Sequence, residues 1–187
     1  MPNYGVVDLG SNSIRLVVYE VKDDRLAAYT NRDFKSLAND KVMAGLAAYV
    51  EDGAFTQTGI EKAASVLKGH AKRARFYRCK RLEVFATAVL RNAANCAEAV
   101  AAIEDASGLP INLLSARDEA HLGFVGATCD RSVKRGTLVD IGGGSTELVF
   151  GEGTVRQAVS LQAGAVRLRE RFGQDRAGAQ ACLDERF

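Results

Sequence analysis

Short apolar runs broken by glycine or acidic turns alternate with longer stretches of helical period along this chain. Tyr4–Leu9 and Ile14–Val21 read as buried strands on either side of a glycine turn, with a further turn at Asp23-Asp24. Leu26–Phe34 reads as a third strand, which would complete a meander. Residues 36–54 keep no single period; a short helix through Val42–Tyr49 is the element they suggest. Thr56 or Thr58 can cap the next helix, and Thr58 with Glu61 has capping-box spacing. Ile60, Ala63, Ala64, Leu67 and Ala71 then mark one face of an amphipathic helix. Leu82–Ala86 is a strand, and Thr87–Asn92 leads from it into a helix through Ala102. After the break at Gly108-Leu109-Pro110 comes a strand at Ile111–Leu114. Ser115 then caps a helix, with Asp118 at capping-box spacing. Beyond a crossing at Cys129–Gly136, a second meander runs through Leu138–Ile141, Glu147–Phe150 and Val155–Leu161, with a turn at Gly151–Gly153. Gly164 opens a helix through Phe172, and Gln180–Phe187 begins another.

This order predicts an α/β protein with mixed sheets in two lobes, residues 1–127 and 128–187. The first lobe is complete in elements. The second is abbreviated and is expected to leave apolar surface uncovered. No Walker A sequence and no Gly-x-Gly-x-x-Gly opens a helix, so the P-loop and Rossmann readings fail.

The chemistry concentrates in Val139–Phe150. An apolar run delivers Asp140 to three glycines, Gly142, Gly143 and Gly144; Ser145, Thr146 and Glu147 follow before the chain turns apolar again. Glycines leave backbone amides unshielded, and successive amides in such a turn form a nest for anions, phosphate above all. Two carboxylates beside a phosphate need a hard cation between them, which points to Mg²⁺. A ligand-free glycine hairpin is the plain alternative. A second copy weighs against it. Laying Asp8 on Asp140 pairs Gly10 with Gly142, Ser13 with Ser145, Leu16 with Leu148 and Val17 with Val149. Arg15 then falls on Glu147, so the two turns match in frame and differ in charge.

Other residues carry weaker signals. Lys68, Lys72, Arg73, Arg75, Arg78, Lys80 and Arg81 cluster at the end of the amphipathic helix, either as a polyanion landing strip or as a solvated face. Arg91, at a strand-to-helix corner, can clamp a phosphate or make a surface ion pair. Asp118 and Glu119 sit in a first helical turn, where acids are ordinarily dipole partners. His121 reads as a solvated helix residue.

Composition adds limits. The 187 residues are 47% hydrophobic and 26% charged, enough for one large core or two small ones. Net charge is only +2, so attraction to phosphate must be local. Cys79, Cys96, Cys129 and Cys182 have no Cys-x-x-Cys pairing and no histidine at zinc-finger spacing. Their scatter suits reduced thiols in the cytoplasm. No apolar run approaches a membrane span and the N-terminus lacks a signal-peptide pattern. Nothing calls for a membrane or a sequence-specific nucleic acid.

Five stretches in order resemble one family: Asp8–Leu16, Ala86–Ala93, Leu114–Ala120, Asp140–Glu147 and Gly164–Leu168. This looks like the exopolyphosphatase and guanosine pentaphosphate phosphohydrolase family, within the actin-like (ribonuclease H-like) ATPase superfold, and the resemblance spans nearly the whole chain. It implies a Mg²⁺-dependent hydrolase that releases terminal orthophosphate from polyphosphate or the 5′-γ-phosphate from guanosine pentaphosphate. Guanosine tetraphosphate or polyphosphate would be its ligands, and a homodimer is allowed. By motif match Glu119 would activate water. Asp140 and Glu147 would hold metal and water, with Asp8 contributing from the other lobe. Asn12, Ser13, Arg15, Arg91, Gly143, Gly144 and Ser145 would bind phosphate.

Two departures stand out. The family's usual Ser-Gly-Glu-Glu-Glu-Ala is Ser115-Ala116-Arg117-Asp118-Glu119-Ala120 here: the glycine is lost, an arginine enters and the last acid is kept. The usual Gly-Ser-Val-Arg-Leu is Gly164-Ala165-Val166-Arg167-Leu168, without its serine donor. A small-molecule kinase of the same superfold and a non-enzymatic guanosine tetraphosphate or polyphosphate sensor are the rival readings.

Overall fold

The computed structural model describes residues 1–23, 30–129, 135–152 and 154–185. It forms two compact units, Met1–Leu114 and Ser115–Phe187.

In the first unit β1 (Asn3–Leu9) and β2 (Ile14–Val21) pair antiparallel, with Val7 opposite Leu16 and Leu9 opposite Ile14. The third strand, β3 (Phe34–Val42), follows a 3-10 turn at Asn31–Asp33. The sequence placed that strand earlier, at Leu26–Phe34. Residues 26–29 of that span lie outside the described residues, and Phe34 begins the strand rather than ending it. β3 is an edge strand with little buried on either face, so no apolar alternation marks it. Its order comes from the β2 ladder, and Asp33 fixes its start by accepting bonds from the Thr30 amide (2.9 Å) and hydroxyl (2.8 Å).

Where a short helix was expected at Val42–Tyr49, only a 3-10 turn forms, Leu46–Tyr49 behind a left-handed Gly45. A small hairpin, β4 (Val50–Glu51) and β5 (Ala54–Phe55), follows. Asp52 and Gly53 turn it with φ of 49° and 80°, the positive angles an Asp-Gly hairpin turn requires. Thr56 caps α1 (Gln57–Phe76), its hydroxyl accepting from Gly59 N at 3.2 Å. β6 (Cys79–Ala86) runs parallel to β1 and beside β7 (Asn112–Leu113), giving the mixed sheet order β3-β2-β1-β6-β7. The single helix through Ala102 that Thr87–Asn92 was expected to lead into is two: α2 (Ala88–Arg91) and α3 (Cys96–Ser107). Asn95 interrupts them because its side chain pairs with both the amide (2.7 Å) and carbonyl (2.9 Å) of Phe55. α1 and α3 bury the sheet face that carries Val7, Leu9, Leu16 and Val18.

The second unit opens with α4 (Ala116–Thr128), capped by Ser115, whose hydroxyl accepts from Asp118 N at 3.1 Å. Three antiparallel strands follow in the order β10-β9-β8: β8 (Arg135–Ile141), β9 (Thr146–Glu152) and β10 (Thr154–Leu161). α4 packs Ala120 and Phe124 on Val149, beside Leu138, Val155 and Ala158. The Phe124 ring lies where a Cβ of Gly151 would stand. α5 (Ala165–Phe172) comes next, then α6 (Arg176–Asp184). α6 begins earlier than the sequence suggested because Asp175 caps it, accepting from Gly178 N at 2.9 Å. The opposite face of this sheet carries Val139 and Ile141 at 55% and 67% exposure.

Candidate functional site

The two glycine turns are the same structure built twice. In the first, Asp8 lies opposite Arg15 and Leu9 opposite Ile14; in the second, Asp140 lies opposite Glu147 and Ile141 opposite Thr146. Each turn closes with one bond, Gly10 N to Ser13 O at 3.1 Å and Gly142 N to Ser145 O at 2.9 Å. A Cβ on Gly10 would sit 3.3 Å from Ser13 O, and one on Gly142 would sit 3.2 Å from Ser145 O, so both positions favour glycine for the same reason.

The likeness continues past the third strand of each unit, which sequence reasoning did not detect. In the first unit Gly45 N donates to Asn12 O (2.9 Å) and Ala47 N to Ser11 O (2.8 Å). In the second, Ala165 N donates to Gly142 O (2.9 Å), and Val166 N and Arg167 N to Gly143 O (3.0 and 3.1 Å). A buried alanine and a glycine stand at the brace in both, Ala44-Gly45 and Ala163-Gly164. That dipeptide was the available signal, obscured by the different lengths of chain before it. The bracing elements hold the turn carbonyls. Among the described residues, the amides of Gly143, Gly144 and Ser145 donate to no protein acceptor, and these are the donors an anion would meet. The first amides of α5 are already used by the turn. The missing serine at Ala165 therefore removes a side-chain donor beside a helix start that carries no open amides for an anion.

The side chains differ between the copies. Asp8 and Arg15 are exposed, and Arg15 is steadied by Nε donating to Asn39 Oδ1 at 2.7 Å. Both line a shallow hollow of about 210 Å³ floored by Val6 and Val17 and flanked by Tyr19. Asn12 is exposed and Ser13 half-buried. In the second copy Glu147 is only 4% exposed. Its Oε1 accepts from Ser160 Oγ at 2.7 Å, across the β9–β10 register. Ser160 is a site residue that the sequence reading missed, since only the strand register brings it to Glu147. Ser145 is buried, and buried Thr146 donates to Ala163 O at 2.8 Å.

Arg91 stands at the end of α2, after the strand whose last residue, Ala86, pairs with Leu9. One guanidinium nitrogen donates to Leu114 O at 2.9 Å, which orients the fork toward the turn end of the first sheet. On α4, Ser115 Oγ accepts from Asp118 N and donates to Asp118 Oδ2 at 2.7 Å, which ties Asp118 to the cap. Glu119 is one turn before Gly123 on the same helix stripe. A Cβ on Gly123 would lie 3.8 Å from Asp140 Oδ2. Glu119 thus lies one helical turn from the position beside Asp140, inside the same unit.

Asp140 opposite Glu147 places two carboxylates on neighbouring strands of one face, an arrangement that repels unless a cation intervenes. Among the described residues no group of three or more histidine, cysteine or acidic side chains is gathered for a metal. Two carboxylates suit Mg²⁺, which keeps several waters and completes its shell with phosphate oxygens. They would not hold a dehydrated structural zinc. None of the four cysteines forms a disulfide among the described residues. No helix among the described residues is long and apolar enough to cross a membrane.

The model of the Ppx/GppA phosphatase family matches residues 17–186. A guanosine-5′-triphosphate,3′-diphosphate pyrophosphatase of Vibrio cholerae is 32% identical over 178 residues, covering 94% of this chain and 34% of that protein. The chain therefore spans about a third of the length of the curated relatives it matches. Among solved structures, an exopolyphosphatase from Cytophaga hutchinsonii superposes with a TM-score of 0.83 at 23% identity, over 98% of this chain and 60% of that one. The Ppx/GppA family member of Aquifex aeolicus gives 0.74 at 27% identity, over the same shares. The fold is the actin-like one that the motifs implied.

Proposed function

The chain belongs to the Ppx/GppA phosphatase family, and we propose that it carries the reaction-centre turns of a phosphoanhydride hydrolase acting on polyphosphate, guanosine pentaphosphate or both. One observation carries this reading: the same Asp-Gly-Ser hairpin occurs twice with one register and one closing bond, and the second copy sets Glu147 opposite Asp140.

A terminal phosphoryl group spreads negative charge over its oxygens in a loose transition state, so the protein's work is positioning and neutralisation. The amides of Gly143, Gly144 and Ser145 supply donors, with Asn12, Ser13, Arg15 and Arg91 as the matching phosphate ligands of the first unit. Asp140 and Glu147 would hold Mg²⁺, and Asp8 stays a candidate ligand through its equivalence to Asp140. The ion, when bound, would screen the phosphate charge that these carboxylates otherwise repel. Ser160 fixes one oxygen of Glu147 and so sets the direction of the other. Glu119 takes the proton from the attacking water. The two-lobe division at 127/128 stays a proposal from the sequence; the compact units themselves part at Leu114/Ser115, with α4 packed on the second sheet. The scatter of the four cysteines suits reduced thiols in a cytoplasmic enzyme.

The test is phosphate release from long-chain polyphosphate and from guanosine pentaphosphate by the intact protein, with Mg²⁺ and no acceptor. Release that disappears in Glu119→Gln supports the assignment. Tight binding of either compound without turnover would turn it into a sensor.

A further inference from the structure

The stretch Lys62–Arg81 carries eight cations and no acid, although the whole chain nets only +2, so the remainder is net negative. That segregation is physical as well as sequential. α1 puts Lys68, Lys72 and Arg75 on one stripe at i, i+4 and i+7, and all three are exposed. Arg73 is spoken for by Asp40 at 2.8 Å, and Arg81 by Glu83. Cations in a last helical turn complement the dipole. That accounts for Arg73 and Arg75, but not for Lys68 or for the run beyond the helix.

Two further features mark the tip. Phe76 ends α1 with 75% of its surface exposed, amid these cations. It packs edge-on to Tyr77, ring centroids 5.3 Å apart at 88°, and Arg73 lies 5.7 Å from the Tyr77 ring centre. Arg78 follows with φ of 53°, the left-handed position after a helix that glycine normally takes. An arginine there costs about 1–2 kcal/mol of backbone strain relative to glycine. The strained site thus carries an arginine where glycine would be easier.

We propose that the C-terminal tip of α1 binds single-stranded nucleic acid without sequence preference. Lys68, Lys72, Arg75 and Arg78 would follow the phosphates, and Phe76, held by Tyr77, would stack an unpaired base. Cations tracking a backbone beside an exposed ring are the elements of single-strand binding, and the ring distinguishes this partner from a phosphate polymer without bases. The tip is separate from the glycine turn. β1 and β6 pair from Asn3 and Cys79 at this pole to Leu9 and Ala86 at the other, about 20 Å of strand away.

The experiment is fluorescence anisotropy of the 187-residue chain with labelled oligo(dT) and oligo(U). Binding should be measurable at low salt and weaken steeply as salt rises. Phe76→Ala should weaken it roughly fivefold to a hundredfold, the worth of one stacked base, and Phe76→Trp should restore it. Lys72→Glu with Arg75→Glu should abolish it, and the same sequence as a duplex should bind less well. Circular dichroism checks the fold of each variant, all of them at exposed positions. No binding by the wild type at low salt overturns the proposal. So does Phe76→Ala binding like the wild type, or polyphosphate displacing the oligonucleotide as well, charge for charge, as unlabelled oligonucleotide does. Preference for anionic lipid vesicles over oligonucleotide would assign the tip to a membrane surface instead, and also overturns it.

Discussion

Asp140 stands directly opposite Glu147 in the β8–β9 ladder, the place that Asp8 and Arg15 hold in β1–β2. One copy of the hairpin therefore places opposite charges across its strands, and the other places like charges. Asp140→Asn should relieve the repulsion. In metal-free buffer the variant should be as stable as the parent or more so, by up to about 1 kcal/mol. Mg²⁺ should raise the thermal midpoint of the parent and leave the variant's nearly unchanged. Equal Mg²⁺ responses in both would remove Asp140 from the metal site.

Asp118 and Glu119 are adjacent, but only Asp118 completes the helix cap. Asp118→Asn should cost about 0.5–1 kcal/mol in denaturant unfolding and leave turnover nearly intact. Glu119→Gln should unfold like the parent while turnover of the intact protein falls by roughly 10²–10⁴-fold, the usual worth of a positioned base. Matching small losses in the two variants would make Glu119 an ordinary helix-start acid.

A Cβ on Gly164 would overlap the backbone of Gly143 and Gly144, whereas one on Gly69 in α1 meets nothing within 4 Å. Gly164→Ala should therefore push the second turn aside and cost about 1–3 kcal/mol, with weaker phosphate binding. Gly69→Ala should stabilise by about 0.5–1 kcal/mol. Urea midpoints of the pair decide it, and a neutral Gly164→Ala would mean that the turn gives way freely.

His70 is buried on α1, 3.3 Å from Ile14 O at the end of the first turn. Burial holds its imidazole below the ordinary 6.5, with the Ile14 bond and Asp40 acting in the opposite direction. The folded protein thus keeps it neutral where the unfolded chain takes a proton. Its contribution is complete above about pH 6.5 and is lost as pH falls below that value, at no more than about 1.4 kcal/mol per unit. His70→Phe should flatten the wild-type decline between pH 6.5 and 5. Parallel stability curves for the two proteins would show that His70 does not titrate in this way.

Leu9 and Ile141 occupy equivalent positions in the two hairpins, yet Leu9 is fully buried and Ile141 is 67% exposed. Leu9→Ala should cost about 2–5 kcal/mol, and Ile141→Ala less than about 1 kcal/mol, by chemical denaturation. A large loss at Ile141 would mean that its face is covered in solution.

Much of this protein was legible in the residues alone. The Asp-Gly-Ser repeat, the amphipathic stripe from Ile60 to Ala71, the Ser115–Asp118 cap and the α/β order all depend on local chemistry, which sequence spacing records. β3 was misplaced, because an edge strand with both faces open has no alternation to read. The helix after Arg91 was read as one, because the break comes from Asn95 pairing with Phe55, forty residues away along the chain. Only the fold brought Ser160 to Glu147, Asn39 to Arg15, and the Ala-Gly braces to both turns. Register and packing between distant segments make those contacts, and no local pattern encodes them. The tertiary structure also decided which copy of one face is core and which is bare. Val7 and Val139 carry the same side chain in the same hairpin position, and their burial differs because α1 and α3 cover one sheet face while its counterpart is open.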